Sequence, residues 1–301
     1  MLSTSRRTLA RMTPIALVAV LAPLLALLVP LASPGVSAAT VSAAAKPCAT
    51  TKSAHYTHVV WIMLENEGYG VIGSPDAPYL NSLSGRCGLA TNDFATNHPS
   101  LPNYIALTSG SAQGIVDDNE PSSHPLNVPS IFSQLKNNWR TYAESMPAPC
   151  DRVTSGTYAA RHNPAVYYTN LANCAGRDVA LRTPLNLAAA FTMIVPNVCD
   201  DMHSCPVATG DAWLKKYVPQ ILSSPQYRSK SLALFITFDE STQSSSNQIP
   251  TIVVAPSVPT GVRVATHFTH YSLLRTTETL LHLPLLGAAR TATSMRGAFH
   301  L

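Results

Sequence analysis

Two pairs of polar side chains follow apolar runs of this sequence and have the chemistry of ligands for a divalent cation. Glu65 and Asn66 come directly after HVVWIML, and Asp239 and Glu240 come directly after SLALFITF. Carboxylate and amide oxygens are hard ligands that suit such an ion. Each pair, taken alone, is also typical of ordinary polarity at the end of a strand. The pairs therefore predict a metal site only in combination with other reactive groups.

A candidate nucleophile lies in the segment NHPSLPNY, where Ser100 precedes a helical pattern. The hydroxyl of a serine at the turn into a helix lies near free backbone N–H groups and the positive end of the helix dipole. An incoming phosphoryl group is favoured at that place. Serine at this position is also a common helix cap, so this segment alone leaves both roles open.

Two histidines complete the set of groups that could act together. Asp201 and His203 stand two residues apart between Cys199 and Cys205, in a loop that a disulfide would make small, which favours a metal or phosphate site. His270 opens the last helical pattern, where a lone histidine is more often structural. A hydroxyl, several carboxylates, an amide and imidazoles together predict metal-assisted phosphoryl transfer, in which a second group protonates the leaving alcohol.

The elements that must position these groups alternate between strands and helices. This alternation predicts an α/β fold in a single domain, with a mostly parallel central sheet and helices on both faces. Ligands of such sheets bind at the carboxyl ends of the strands, where Glu65 and Asp239 would lie. Strands are predicted at 58–64, 140–143, 192–195, 231–238 and 251–255, and helices at 103–108, 129–136, 211–222 and 270–281.

The N-terminal segment has the features of an export signal. Three arginines precede an uncharged apolar run that ends in small residues, which predicts a signal peptide over 1–38 and a secreted protein. A membrane anchor is the alternative, although prolines interrupt the run. The paired arginines also resemble a twin-arginine signal, so the export route stays open. An Ala/Ser-rich, disordered lead-in at 39–52 and a catalytic domain at 53–301 are expected to follow.

Charge and cysteine content limit the partners and the compartment. The chain has a formal net charge of +4, and three positive charges fall in the leader, so binding of nucleic acid is not expected. All six cysteines lie beyond the leader, an even number that predicts three disulfides in an exported protein. Sequential pairing closes the shortest loops, but the sequence does not decide the connectivity. The lack of a CxxC pair argues against a zinc-thiolate site.

Six ordered segments carry motifs that occur together in a known family. They are VVWIMLEN (59–66), NHPSLPNYIALTSG (97–110), ARHNPAVYY (160–168), VPNVCDDMHSC (195–205), ITFDES (236–241) and THYSLLRTTETLLHLPLLG (269–287). In this order they resemble the phosphoesterase family of the alkaline-phosphatase superfamily, which contains secreted acid phosphatases and bacterial phospholipases C. The likeness spans nearly the whole chain after the leader. It is greatest to the mycobacterial type of secreted acid phosphatase, which acts on phosphoinositides.

The resemblance implies an alkaline-phosphatase-like fold and a secreted, metal-dependent phosphatase that hydrolyses phosphomonoesters. Ser100 would be the nucleophile, passing through a phosphoserine intermediate, and Asn103 would donate to the phosphoryl oxygens. The implied metal ligands are Glu65, Asn66, Ser100, Asp201, Asp239 and Glu240. The substrate would be a small phosphorylated molecule or a phospholipid headgroup, with no membrane span left after signal cleavage. The oligomeric state stays open.

The same resemblance assigns the histidines and the number of metal ions. His203 and His270 would bind metal or phosphate or act as general acid, and His162 and His98 are further candidates. Two-metal members of the superfamily have an Asp-His pair where this chain has Asp239 and Glu240. A single divalent ion is therefore expected, and its identity is open.

Three other functions compete with this interpretation. A phospholipase C or other phosphodiesterase would share the catalytic centre, but such members are generally longer, which favours monoester hydrolysis here. A serine esterase is disfavoured because the chain contains no G-x-S-x-G segment. A non-catalytic secreted binding module would leave the strand-end acids and the pair Asp201 and His203 without a role.

Overall fold

A mixed β-sheet of nine strands forms the centre of the protein in a computed structural model, which describes residues 46–242 and 246–301. The strands are β1 His58–Leu64, β2 Gly88–Phe94, β3 Trp139–Ala143, β4 Asp178–Ala180, β5 Phe191–Val195, β6 Leu232–Phe238, β7 Gln248–Val254, β8 Arg263–Val264 and β9 Phe268–Thr269. Their order in the sheet is β4-β3-β5-β1-β6-β7-β2-β8, with β9 also paired to β2. Strand β7 pairs antiparallel with β6 and β2, and the other pairings are parallel. The α/β class with a mostly parallel sheet is thereby confirmed.

Helices cover this sheet. Every residue of β6 and all but the first of β1 are buried. Successive side chains of a strand point to opposite faces, so both faces of these central strands are covered, as predicted. The α-helices are α1 Pro78–Arg86, α2 Ser100–Ser109, α3 Ile131–Leu135, α4 Cys174–Arg177, α5 Val207–Leu222, α6 Pro225–Arg228 and α7 His270–Leu280. Short 3-10 helices lie at Tyr69–Val71, Ala160–His162, Pro164–Tyr167 and Gly287–Arg290.

Large aromatic side chains fill the core between the sheet and its helices. The rings of Trp61 on β1 and Phe191 on β5 meet edge to face, with centroids 4.7 Å apart. Phe132 of α3 packs on Trp139 of β3 at 4.8 Å. Trp61 also donates from Nε1 to Thr277 Oγ1 of α7 at 3.0 Å, which satisfies its one polar group inside the core. These contacts fix α3 and α7 against the strands that carry the polar residues at their ends.

Strands β2, β4, β8 and β9 and helices α1, α4 and α6 were not predicted, and β2 and α1 show why. Strand β2 has the sequence GLATNDF, whose polar residues hide the strand pattern. Its buried Asp93 accepts a hydrogen bond from Thr251 of β7 at 2.6 Å, so the sheet interior contains a polar contact. Helix α1 has no cap of its own, and Asp211 of α5 accepts the N–H groups of its residues 79 and 80 at 2.9 and 2.8 Å. Partners so distant in sequence leave no local signal.

Three disulfides join cysteines in sequential order, so the predicted number is confirmed and the connectivity is now known. The pairs are Cys48–Cys87, Cys150–Cys174 and Cys199–Cys205. Cys48 is buried, and the N–H groups of Ala49 and Thr50 donate to main-chain oxygens of residues 258 and 256 at 2.8 Å. The described part of the expected lead-in, 46–52, is therefore anchored to the domain.

The predicted signal peptide at 1–38 and the first part of the lead-in lie outside the described residues. Over 46–242 and 246–301, no helix has both the length and the apolar character needed to cross a bilayer.

A buried carboxyl on the edge strand β4 makes stability depend on pH. Burial raises the pKa of Asp178 to about 7, and the hydrogen bond from Asn163 Nδ2 at 2.9 Å opposes this rise. The folded chain therefore holds this proton more tightly than the unfolded chain does. The stabilisation is complete below the unfolded pKa, near 3.8, and is lost as pH rises through the folded pKa.

We expect Asp178→Asn to flatten the decline in unfolding free energy between about pH 4 and about pH 7, by up to about 1.4 kcal/mol per pH unit. The amide keeps the shape of the carboxyl but has no proton to lose. Denaturant unfolding at a series of pH values measures the slope. Asp76→Asn, at an exposed position, is the control and should keep the original slope. An identical slope in Asp178→Asn would contradict the assignment.

Candidate active site

The carboxyl ends of β1 and β6 place Glu65 and Asp239 side by side. Leu64 pairs with Phe238 in parallel register, and Asp239 N donates to Leu64 O at 3.0 Å. Asn66 adopts the left-handed region at φ 51°. Its N–H donates to Asp239 Oδ1 at 3.2 Å, and its Nδ2 donates to Glu65 Oε2 at 3.1 Å. Three of the predicted metal ligands, Glu65, Asn66 and Asp239, thus meet at the carboxyl ends of two central strands.

Ser100 is the first residue of α2 and contacts this group directly. Its Oγ donates to Glu65 Oε2 at 3.1 Å, and the side chain is 3% exposed. The hydroxyl does not cap the helix, because the N-cap residue is Pro99 and makes no side-chain cap bond. Asp118 instead accepts the N–H of Leu101 at 2.9 Å. The alternative role of Ser100 as a helix cap is therefore not the one it has in this fold.

A second group of side chains surrounds the other oxygen of Glu65. Tyr104 Oη donates to Glu65 Oε1 at 2.5 Å, and its ring stacks on His162 with centroids 5.6 Å apart. His162 Nε2 lies 3.3 Å from the same oxygen without the geometry of a hydrogen bond, and its Nδ1 lies 3.1 Å from Asp201 Oδ2. Glu65 therefore connects the serine to a buried carboxylate–imidazole pair.

The loop closed by Cys199 and Cys205 fixes the remaining pair. Asp201 Oδ1 accepts the backbone N–H of His203 at 2.8 Å, and Asp201 O accepts the N–H of Glu65 at 2.8 Å. Ligand atoms of Glu65, His162 and His203 lie within 4.8 Å of one another, a spacing that could hold a metal ion. Asp201 and His203 thus lie beside Glu65, and their assignment to the site and their chemical roles stay predictions.

Glu240, Asn103 and His98 form a neighbouring hydrogen-bonded group. Glu240 Oε2 lies 2.7 Å from His98 Nδ1 and 3.3 Å from Asn103 Nδ2. Asn103 Oδ1 accepts the backbone N–H groups of residues 96 and 97 at 3.1 and 2.8 Å. The amide of Asn103 therefore supports the loop that leads to Ser100, and its predicted role as a donor to phosphate stays a prediction.

His270 supports the site from the start of α7. Its Nε2 lies 2.5 Å from the main-chain oxygen of Asp239. Burial lowers the pKa of His270 to about 4, and the hydrogen bond to Asp239 opposes this shift. The neutral ring donates to that carbonyl and holds the end of β6 behind the carboxylates. A role as general acid stays a prediction.

The buried carboxyls of the site oppose one another's ionisation. Burial raises the pKa of Glu65 well above its usual range, and the charges of Asp239 and Asp201 raise it further. Asp239 Oδ2 is buried without a hydrogen-bond partner among the described residues. Buried charges are normally paired or bound to metal, so this unpartnered oxygen and the surrounding oxygen and imidazole donors fit a divalent cation.

Three side chains of the site were not predicted from sequence. Tyr104 and Arg161 lie inside the motifs around Ser100 and His162, but a core tyrosine and a surface arginine give the same pattern. Asp118 lies in a polar loop, and its contact with the start of α2 depends on how that loop returns to the helix. The signal available in the sequence was that Tyr104 and Arg161 lie close in sequence to residues already recognised as candidates, Ser100 and His162.

Comparison with known proteins gives one consistent family. Residues 66–284 match the Phosphoesterase family. A phosphatidylinositol-3-phosphatase of Mycobacterium tuberculosis is 33% identical over 245 residues, covering 79% of this chain and 81% of that protein. An acid phosphatase of Aspergillus fumigatus is 26% identical over 267 residues, covering 80% of this chain. The match spans 58% of the length of the fungal protein.

A solved structure supports the fold independently. A protein of the alkaline phosphatase superfamily from Vibrio parahaemolyticus superposes with a TM-score of 0.54, over 84% of this chain and 73% of that one. At 12% sequence identity this likeness concerns the fold alone, and it confirms the alkaline-phosphatase-like architecture. Because the family match covers most of the sequence and a relative above 30% identity aligns over most of both chains, the protein belongs to the phosphoesterase family.

Proposed function

We propose that this protein is a secreted, metal-dependent phosphatase that hydrolyses phosphomonoesters through a phosphoserine on Ser100. The hydrogen bond from Ser100 Oγ to Glu65 carries the proposal, because it places a hydroxyl against a buried carboxylate at a helix N-terminus. The names of the relatives, a phosphatidylinositol-3-phosphatase and an acid phosphatase, support phosphomonoesters as the substrate class. The leader-like N-terminus and three disulfides support secretion.

The proposed reaction begins with the side chain of Ser100. Its Oγ gives the proton to Glu65 and attacks phosphorus, so that the new bond to Oγ forms while the bond from phosphorus to the leaving oxygen breaks. The N-terminus of α2 favours the negative charge of the phosphoryl group. Water then attacks the phosphoserine and gives one proton to the ring that protonated the leaving alcohol. The bond from phosphorus to Oγ breaks, Glu65 returns its proton to Oγ, and inorganic phosphate is released with the hydroxyl of Ser100 restored.

The histidines serve the leaving group and the carboxylates. His203 is exposed at the mouth of the site, with its backbone held by Asp201. Burial and the positive charge of Arg161 lower the pKa of His203, and its Nε2 faces the donor Nη2 of Arg161, so the ring is neutral in the free site. A bound phosphoryl dianion raises that pKa, and we assign the protonated ring the transfer of a proton to the leaving alcohol. His162 is buried between Asp201 and Glu65, where it fixes the orientation of both carboxyls. His270 holds the main chain at Asp239.

A divalent ion, when bound, would neutralise phosphoryl charge and lower the pKa of the serine hydroxyl. The buried oxygen Oδ2 of Asp239, which has no partner in the described ranges, supports this requirement most directly. Glu65, His162 and His203 form a second possible set of metal ligands. This set shares Glu65 with the oxygen donors. The oxygen donors proposed to hold the ion are those of Glu65, Asn66, Ser100, Asp201, Asp239 and Glu240. Glu240 would exchange its contact with His98 for the ion.

The test is hydrolysis of p-nitrophenyl phosphate and of bis(p-nitrophenyl) phosphate by the purified protein, each with and without EDTA. We expect the monoester to be the better substrate, EDTA to remove its hydrolysis, and one of Mg²⁺, Mn²⁺, Ca²⁺ or Zn²⁺ to restore it. Preference for the diester would favour the phospholipase C type of reaction. Inertness toward both substrates after metal addition would favour a binding module.

Removing the disulfide between Cys199 and Cys205 should impair the site more than the fold. The double Ala variant would lose about 2 kcal/mol of unfolding free energy, as expected for a short closed loop. We expect kcat/KM to fall by about tenfold or more, because Asp201 and His203 lose the loop that fixes them.

The matched control is the double Ala variant at Cys150 and Cys174, whose disulfide closes a longer loop. It should lose a similar or larger unfolding free energy, about 3 kcal/mol, and keep most of its activity. Denaturant unfolding and steady-state kinetics compare the two variants. Equal losses of activity at equal losses of stability would show that the Cys199–Cys205 loop has no special link to the site.

A further inference from the structure

Arg161 lies at the mouth of the site between two residues on different loops. Its Nη2 lies 3.3 Å from His203 Nε2, and its Nε lies 3.8 Å from Asp118 Oδ2. Its Nη1 has no hydrogen-bond partner among the residues that the structure describes. The side chain is 23% exposed, so it is held near the site and still open to a ligand.

Asp118 connects this arginine to the proposed nucleophile. One oxygen of Asp118 faces Arg161, and the other accepts the N–H of Leu101 at 2.9 Å, directly after Ser100. On the other side, His203 is fixed through Asp201. The guanidinium group therefore lies between the disulfide-closed loop, through His203, and the N-terminus of α2, through Asp118.

The charge balance of the site requires a further cation when a monoester binds. Glu65, Asp201, Asp239 and Glu240 are four buried acidic side chains. Over 46–242 and 246–301, Arg161 is the one lysine or arginine side chain with a hydrogen bond or ion pair to a residue of this site or its rim. A phosphomonoester carries up to two negative charges near neutral pH, whereas a diester carries one. One divalent ion alone leaves a dianion facing an excess of carboxylates.

We propose that Arg161 binds the non-bridging oxygens of the phosphoryl group and thereby selects monoester dianions over diester monoanions. The proposal rests on the phosphatase function proposed above. A guanidinium group suits this task because its planar fork matches two oxygens of one phosphate. Asp118 is then a positioning residue, which holds the fork over the start of α2.

Three variants test this assignment. Arg161→Gln removes the charge at similar length, and Arg161→Lys keeps the charge without the fork. Arg152→Gln, at an exposed arginine earlier in the same connecting segment, is the control with the same change in net charge. For each variant we would measure kcat and KM for p-nitrophenyl phosphate and its bis ester at about pH 7, and the affinity for inorganic phosphate by calorimetry.

Arg161→Gln should lower kcat/KM for the monoester by about 10²- to 10³-fold and that for the diester by less than about tenfold. Its affinity for inorganic phosphate should fall by about tenfold or more. Arg161→Lys should recover part of both losses, and the Arg152→Gln control should lose neither. Thermal unfolding should change little, since a half-exposed ion pair contributes little to stability.

Two results would overturn the assignment. Equal losses for monoester and diester would give Arg161 a structural role, and an unchanged phosphate affinity would exclude contact with the anion. The Ser100→Ala variant separates this failure from failure of the proposed function. If Ser100→Ala stays active, the catalytic proposal is wrong while phosphate affinity still decides the role of Arg161. If Ser100→Ala is inactive and Arg161→Gln binds phosphate normally, only the present inference is wrong.

Discussion

Ser100→Ala should reduce hydrolysis of a phosphomonoester by about 10⁴-fold or more, because the variant lacks the oxygen that forms the covalent intermediate. The fold should tolerate the change. The hydroxyl donates to Glu65 and also lies against Asp239, and the N–H of Leu101 at the start of α2 is accepted by Asp118 instead. We expect the unfolding free energy to change by about 1 kcal/mol or less. Steady-state kinetics and denaturant unfolding measure the two quantities.

Ser109→Ala is a matched control for this variant. Ser109 is also buried and ends the same helix, where its Oγ lies 2.9 and 2.8 Å from the main-chain oxygens of residues 105 and 111 and donates to one of them. The control should lose some stability and keep its turnover. Acid quenching of the unmodified enzyme during turnover, followed by mass spectrometry, should find phosphate on the peptide that contains Ser100. A folded Ser100→Ala protein with turnover within about tenfold of the original would remove Ser100 as nucleophile.

Asp239→Asn should stabilise the metal-free protein and nearly abolish activity. The amide keeps an oxygen that accepts the N–H of Asn66, while one charge is removed from a group of buried carboxyls that repel each other. Replacing a poorly compensated buried charge by a neutral group of the same shape can raise the unfolding free energy by about 1 to 3 kcal/mol. Loss of a metal ligand should lower kcat/KM by about 10²-fold or more.

The measurement for Asp239→Asn is thermal unfolding with and without the activating metal ion, alongside kinetics. Metal should raise the Tm of the unmodified protein, because it binds the folded state, and should raise the Tm of the variant much less. Asp93→Asn is the control, since Asp93 is a buried carboxyl of β2 with protein partners, Thr251 and the N–H of residue 94. It should keep the full metal-induced shift. An equal shift in Asp239→Asn would exclude Asp239 as a ligand.

The sequence predicted the framework of the site because strand ends carry a local signal. Apolar runs that stop at Glu65 and Asp239 mark the carboxyl ends of buried strands, and parallel pairing brings such ends together. The spacing of Asp201 and His203 inside a short cysteine loop was a second local signal. The contacts of Glu240 had no local signal, because its partners His98 and Asn103 lie in the loop before α2 and in α2, more than a hundred residues earlier.

Contacts between distant elements account for the rest. Hydrophobic periodicity reports which face of a strand is buried, but it does not report the lateral order of strands or their direction. Hydrophobic periodicity therefore could not predict that β7 runs antiparallel to its neighbours, or that the polar segment of β2 is a strand. Periodicity also does not report contacts between distant segments, and the positions of Arg161 and Asp118 depend on such a contact.

The pairing of β1 with β5 and β6 also determines when the central sheet can first form during synthesis of the chain. β1 is made early, but its partners end only at Val195 and Phe238, and His270 follows later still. A nascent chain therefore holds β1 without either neighbour until residue 195 and without β6 until residue 238, and contacts of such long sequence separation form slowly. The central sheet of this fold is therefore completed late, after most of the chain has been made.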